Sequence, residues 1–188
     1  MPFGHRIAAL GIALLLGLAA PTARAAELET PEGAVVVTVA GTIQNTNRGP
    51  FDPQTDLFLK YHGRSFTQAA AFDRAMLEAL GLYEVEVSIP GWPAPVRVEG
   101  PRLKDLVTAV GGAGSRITLL ALDGYASEIS WAELEALDWI VGINQDGHDL
   151  GLGQRGPLWV VYTYADGRPL TAEDELRWPW AAFYIEIN

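Results

Sequence analysis

One stretch, residues 95–125, restricts the fold more than any other part of the chain, because its turn residues and its hydrophobic spacing agree. Gly100 and Pro101 are typical of an N-cap and of a first helical position. The helix predicted after them has one buried face, made of Leu103, Leu106, Val107 and Val110. Gly111 ends this helix, and the apolar run 117–122 predicts a buried strand that leads into an Asp-Gly-Tyr corner.

Strands and short helices are mixed along the rest of the chain. Further strands are predicted at residues 34–40, 57–61, 83–89, 139–143, 158–164 and 180–187. Helices are predicted at residues 72–80, at residues 130–137 and from Thr171 onward. Ser130 and Glu133 have the spacing of a capping box, and Asp146-Gly147 predicts a hairpin turn. Because strands and helices do not alternate regularly, the predicted class is α+β, with mixed or antiparallel sheets and short helices.

The first 25 residues have the three parts of a secretory signal peptide. Residues 1–6 are basic, residues 7–20 are apolar, and residues 23–25 form a small-x-small cleavage site. The apolar part is shorter than the roughly 20 residues of a spanning helix, so cleavage is favoured over retention as a membrane anchor. No twin-arginine pair precedes it, which favours export by the general route to the periplasm or the exterior. Residues 26–188 are then predicted to form a single domain.

The mature chain is strongly acidic. Without residues 1–25 it keeps 11 basic and 23 acidic residues, a net charge of −12 with neutral histidines. A charge of this sign argues against nucleic acid and against anionic membrane surfaces as partners. The chain has no cysteine, which excludes a disulfide, a lipidated N-terminus and thiolate chemistry.

Other common site patterns are missing or weak in the mature sequence. His62 and His148 are too far apart in the chain to suggest a zinc site. Residues 144–149 have some features of a calcium loop but lack its final glutamate, so a hairpin turn accounts for them better. There is no phosphate-binding loop and no G-x-S-x-G nucleophile motif.

Four short motifs occur in an order that resembles the oxidoreductase molybdopterin-binding domain, the sulfite-oxidase-like fold. They are Val98-Glu-Gly-Pro-Arg-Leu-Lys-Asp-Leu-Val, Ala121-Leu-Asp-Gly-Tyr125, the Asp146-Gly147 turn, and Arg155-Gly-Pro-Leu-Trp159. The resemblance spans roughly residues 36–187 and is strongest to small, secreted, single-domain members. It implies an oxidoreductase-like fold with molybdopterin as the possible cofactor.

The sequence departs from the catalytic members of that family at one decisive position. In those members a cysteine just upstream of the helix ligates molybdenum, and here the corresponding residues 87–92 contain none. Ser88 offers a remote alternative as an alkoxide ligand, although a strand-end hydroxyl bonded to the backbone accounts for it better. The resemblance also implies twin-arginine export for a molybdenum-loaded protein, and this chain lacks that signal. No bound metal or cofactor is therefore expected.

The resemblance also implies where a pocket lies. The corresponding residues are Trp92, Asp123, Tyr125, Arg155, Arg177 and Trp178. Arginines among aromatic side chains suit a small anionic or planar ligand, by bidentate bonds and stacking. The plainer alternatives are turn formation and packing for Asp123 and Tyr125, and an ordinary surface position for Arg155 and Arg177.

Two functions follow from these observations. The first is an exported module that binds a small ligand or a periplasmic protein partner without redox chemistry of its own. The alternative is a genuine molybdopterin-dependent periplasmic oxidoreductase with a non-cysteine metal ligand. Molybdenum content separates the two hypotheses.

Overall fold

The structure is a computed structural model that describes Met1 and residues 28–188. Apart from Met1, the residues of the predicted signal peptide lie outside that range. Within it the chain forms eleven strands and five short helices. The strands are β1 (Val35–Gly41), β2 (Ala70–Asp73), β3 (Tyr83–Val87), β4 (Val96–Gly100), β5 (Arg116–Ala121), β6 (Ala126–Ser130), β7 (Leu137–Gly142), β8 (Asn144–Gln145), β9 (His148–Asp149), β10 (Trp159–Tyr164) and β11 (Ala182–Ile187). The helices are α1 (Leu57–Tyr61), α2 (Arg74–Ala79), α3 (Leu103–Ala109), α4 (Trp131–Ala136) and α5 (Ala172–Glu175).

The strands form three sheets. A five-stranded sheet has the order β2-β1-β11-β5-β6, a four-stranded sheet has the order β3-β4-β8-β9, and β7 pairs with β10. All pairs are antiparallel except β1 with β11, which is parallel. The prediction of an α+β chain with mixed and antiparallel sheets and short helices is confirmed.

The five-stranded sheet is covered on both faces, as its nearly continuous apolar strands require. In β5, Ile117 and Leu119 belong to the main core, whereas Leu120 belongs to a second, smaller cluster. In β11 the same alternation sends Ile185 to the main core and Tyr184 to the second cluster. This period of two follows from the opposite directions of successive side chains in a strand.

The helix after β4 begins two residues later than the sequence predicts. Its N-cap is Arg102, not Gly100, and Gly100 is the last residue of β4. A Cβ atom on Gly100 would lie 2.0 Å from the carbonyl oxygen of Val141, so this glycine allows β4 to approach β7 closely. The predicted buried face, which includes Leu103 and Leu106, is confirmed.

Two predictions for residues 57–80 are wrong. Residues 57–61 form α1, not a strand. The amide of Lys60 donates to the backbone carbonyl of Asp56 at 2.9 Å, which is the first hydrogen bond of the helical turn. A short apolar run does not by itself distinguish a strand from a helix. The helix predicted at 72–80 begins only at Arg74, since Phe72 belongs to β2 and Asp73 caps α2.

Local turn and cap signals were more reliable. The Asp146-Gly147 hairpin joins β8 to β9, with positive φ at both residues (50° and 82°) as a type I′ turn requires. Ser130 and Glu133 form the predicted capping box of α4. Thr171 caps α5 through a second box with Asp174. The β8–β9 hairpin and the segment around α5 border the same depression.

Candidate functional site

Two neighbouring depressions lie on one side of the molecule. The first has a volume of about 660 Å³ and is bounded by the β8–β9 hairpin, the turn before β10, and the residues around α5. The second has a volume of about 300 Å³ and lies beside the Asp-Gly-Tyr corner between β5 and β6. Glu175, Trp178 and Trp180 line both depressions and so connect them. We call them the arginine cleft, which contains Arg155, and the corner depression.

A cluster of indole rings forms one wall of the arginine cleft. Trp159 begins β10 and Trp178 follows α5, and their ring centroids are 6.2 Å apart. Trp92, in the loop after β3, packs against Trp159 at 6.2 Å and against Trp178 at 6.5 Å. The three rings come from distant parts of the chain, so tertiary packing alone brings them together.

Arg155 lies against this wall. Its guanidinium carbon is 4.3 Å from the centroid of the Trp159 ring and 5.5 Å from that of Trp92. Its Nη1 donates to Oε1 of Gln145 at 2.9 Å. Arg155 forms no salt bridge with any described residue. Its charge is therefore held in place by neutral partners.

The turn that carries Arg155 is compact. A Cβ atom on Gly156 would lie 2.5 Å from the carbonyl oxygen of Leu150, so only glycine fits that position without a shift. On the other side, the carbonyl of Arg155 accepts the amide hydrogen of Ala181 at 2.8 Å. These contacts fix the backbone of Arg155 from two directions.

Trp178 is a buried side chain with an unused donor. Its exposed fraction is 2%. Its Nε1 is buried and has no hydrogen-bond partner among the described residues. Buried polar groups in folded proteins are almost always paired, so this donor is an exception, and because the atom is buried a ligand reaches it only if neighbouring side chains shift.

The carboxylates around the arginine cleft differ in how they are bound. Asp149 pairs with Arg74 at 2.7 Å. Asp146 accepts the amide hydrogen of Arg97, which is the main cause of its lowered pKa. Glu175 is half-buried, and its carboxylate has no hydrogen-bond or ion-pair partner among the described residues. Glu175 is therefore the unengaged acid of the site.

The corner depression contains the two predicted residues of the Asp-Gly-Tyr corner. Oδ1 of Asp123 accepts the amide hydrogen of Tyr125 at 2.9 Å and stabilises the turn. The hydroxyl of Tyr125 donates to the carbonyl of Leu176, which holds the ring against the α5 end. Asp123 thus stabilises the turn and Tyr125 packs against the end of α5, and both residues also line a depression.

Arg177 and Ser88 lie elsewhere. Arg177 pairs with Glu133 at 2.7 Å and lines neither depression. Burial raises the pKa of Glu133, but hydrogen bonds from Ser130 and Arg177 outweigh it and hold that pKa below its usual value. Ser88 is exposed in a separate groove that also contains Arg168.

The donor set does not fit molybdenum ligation. The chain offers no thiolate, and Ser88 and Arg155 line different cavities. Within residues 28–188, no three His, Asp or Glu side chains are grouped so that they could hold a metal ion.

Sequence reasoning named Arg155, Trp178, Asp123 and Tyr125, which line the two depressions, and Trp92, which packs against the indole wall. It missed Trp159, Glu175 and Trp180, although Trp159 ends the Arg-Gly-Pro-Leu-Trp motif. That motif and the Trp-Pro-Trp run at 178–180 were the available signals.

A scan against protein-family models gave no match, and a search of curated proteins found no similar sequence. In the part of the chain that the structure describes, no helix combines the length and the apolar character needed to cross a bilayer.

Proposed function

We propose that this protein is an exported binding module whose arginine cleft takes a small planar ligand with an anionic group. In this proposal the domain has the sulfite-oxidase-like molybdopterin-binding fold and performs no redox chemistry. The signal-like N-terminus and the ordered motifs support the export and the fold, respectively.

The observation that carries the proposal is the state of Arg155. Six of the nine arginines in residues 28–188 pair with a carboxylate. Arg155 has indole rings and an amide instead and, unlike the other two unpaired arginines, it lines the arginine cleft. Stacking on the rings orients the guanidinium plane, and the N–H donors that do not bind Gln145 remain for a carboxylate or phosphate. Because the side chain is already ordered, binding costs little further side-chain entropy.

The indole wall supports a planar ligand. Trp159 and Trp178 are almost fully buried and pack edge to face, so they form a rigid apolar surface beside Arg155. Binding pockets of this kind combine an apolar lining with a few polar groups that set orientation. The guanidinium of Arg155 is such a polar group.

The alternative, a molybdopterin-dependent oxidoreductase, is tested first. The protein is purified from the periplasm of its native host, and its molybdenum and pterin contents are measured by elemental analysis and fluorescence. We expect folded protein with far less than one molybdenum per chain. Near-stoichiometric metal would overturn the proposal in favour of the oxidoreductase.

The binding proposal is then tested with a defined probe. Pterin-6-carboxylate is planar and anionic, and 6-hydroxymethylpterin is its neutral control. Arg155→Gln should weaken binding of the anionic probe by about 10–100-fold, the value of a charge-assisted hydrogen bond, and affect the neutral probe little. The matched control is Arg168→Gln, since Arg168 also stacks on an aromatic ring, Tyr164, but lies outside the cleft. Equal binding of both probes to the wild type, or an equal loss in both variants, would refute the assignment of Arg155.

A further inference from the structure

We propose that the corner depression is a separate site for a small organic cation, an alkylammonium group held between aromatic rings and carboxylates. This goes beyond the anion proposed for the arginine cleft: Glu175 and Trp180 line both depressions, whereas Asp123 and Tyr125 line only this one. The residues that carry it are Trp180, Tyr125, Glu175 and Asp123.

The first observation is the exposed indole of Trp180. Its exposed fraction is 62%, whereas Trp159 and Trp178, which line the arginine cleft with it, are each only 2% exposed. The next residue, Ala181, has a φ of 55°, which a non-glycine residue adopts only at a cost. Its amide donates to Arg155 at 2.8 Å, and its carbonyl accepts from Leu122 at 3.0 Å. Two hydrogen bonds thus hold Ala181, the residue after this ring, in a strained conformation, which is common at ligand sites.

The second observation is the charge of the depression. Its lining contains the carboxylates of Asp123 and Glu175 and no basic side chain. Glu175 is half-buried and unengaged among the described residues, unlike Glu133, which pairs with Arg177. A carboxylate in such a position gains from a cation that it can contact directly.

The third observation is the second aromatic ring. Tyr125 is 43% exposed, and its hydroxyl is tied to the carbonyl of Leu176, which fixes the ring in place. The faces of Trp and Tyr rings attract cations within about 6 Å, and sets of such rings recognise quaternary ammonium groups. Two aromatic side chains and two carboxylates in one depression therefore favour an organic cation.

A metal ion suits this depression less well. Calcium takes about six to eight oxygen ligands, whereas only two carboxylates line the depression, and one of them already accepts a backbone amide. An organic cation instead needs only ring faces and a carboxylate, and the lining of this depression supplies both.

The test compares choline with 3,3-dimethylbutan-1-ol, which has the same shape but no charge. Binding is measured by calorimetry and by the shift of the Trp180 indole signal in nuclear magnetic resonance spectra. Choline should bind the wild type about fivefold or more tightly than the neutral alcohol, the range of a cation–π contact. Equal binding of the two, or no choline binding, would overturn the proposal.

Variants locate the site. Trp180→Leu keeps an apolar side chain without the indole, and Asp123→Asn removes a charge from the corner depression alone. Both should weaken choline binding several-fold, whereas Leu152→Ala, an exposed apolar residue that lines neither depression, should not. Choline binding that survives both substitutions would refute the site.

If Trp180→Leu does not fold, the indole signal of the wild type decides, because choline must shift the Trp180 signal more than the signals of the buried indoles. Failure of choline to bind while pterin-6-carboxylate still binds overturns this proposal alone, and the reverse result overturns the anion proposal alone.

Discussion

Single arginines in this protein have different roles that their sequence context does not reveal. Arg155 stacks on indole rings without a salt bridge, whereas Arg177 pairs with Glu133 and lies over Trp139 and Tyr162 at 5.9 and 5.7 Å. The sequence suggested both as pocket residues. The structure brings only Arg155 to the cleft.

Arg177→Ala should therefore reduce stability without affecting ligand binding. The side chains of Arg177 and Glu133 are about one-third exposed, so the loss should be modest, about 1 kcal/mol from the ion pair and the ring contacts together. Urea unfolding measures the loss, and binding of pterin-6-carboxylate should remain at the wild-type level. A variant with wild-type stability and weakened probe binding would instead place Arg177 at the site.

At the scale of the element, the best test is the cap of α4. Oγ of Ser130 accepts the amide hydrogen of Glu133 at 3.2 Å, and the Glu133 carboxylate accepts the Ser130 amide hydrogen at 2.9 Å. Ser130→Ala should lower the free energy of unfolding by about 1 kcal/mol. Ser115→Ala is the matched control. Ser115 precedes β5, the strand that pairs with β6 before α4, and its hydroxyl reaches only the carbonyl of Asn188, at 3.5 Å. Equal losses would show that the cap contributes nothing specific.

Elements with local causes were predictable from sequence, and elements with distant causes were not. The capping boxes and the Asp146-Gly147 turn are specified within four residues, and the structure contains them. By contrast, β2 and β6 were missed, since each is a strand only because it pairs with β1 or β5. Strand pairing depends on partners far along the chain, and local propensity is a weak guide to it.

The same reasoning applies to the candidate site. The family resemblance implied Arg155 and Trp178 as pocket residues, and both line the arginine cleft. The exposure of Trp180 was not predictable, since it depends on how segments far apart in the chain pack around residues 178–181. Nor does the sequence show that Glu175 lines both depressions.

For the whole molecule, acidity and burial combine in the region where α5 packs on β10. Asp174 is 6% exposed and accepts hydrogen bonds from the hydroxyls of Tyr162 and Tyr164 and from the amide of Thr171. Burial raises the pKa of Asp174, but these donors outweigh it and hold that pKa below its ordinary value. The carboxylate thus joins β10 to α5, and α5 leads to Trp178 and Trp180 of the candidate site.

Acid should therefore weaken the fold partly through Asp174. A carboxyl group whose pKa is lower in the folded state stabilises it above the unfolded value, about 3.9, and this contribution is lost as pH falls through the folded value. Asp174→Asn should lower the free energy of unfolding by about 2–4 kcal/mol at pH 7, because a neutral amide replaces the charged, buried carboxylate that accepts hydrogen bonds from two hydroxyls. The difference from wild type should shrink as pH falls below about 3.9 and through the lowered pKa of the folded state, because the wild-type group then becomes protonated too. Urea unfolding at pH 7 and pH 3 measures both values, with the exposed Asp166→Asn as the control. A difference that is equal at the two pH values would show that packing, and not ionisation, accounts for the role of Asp174.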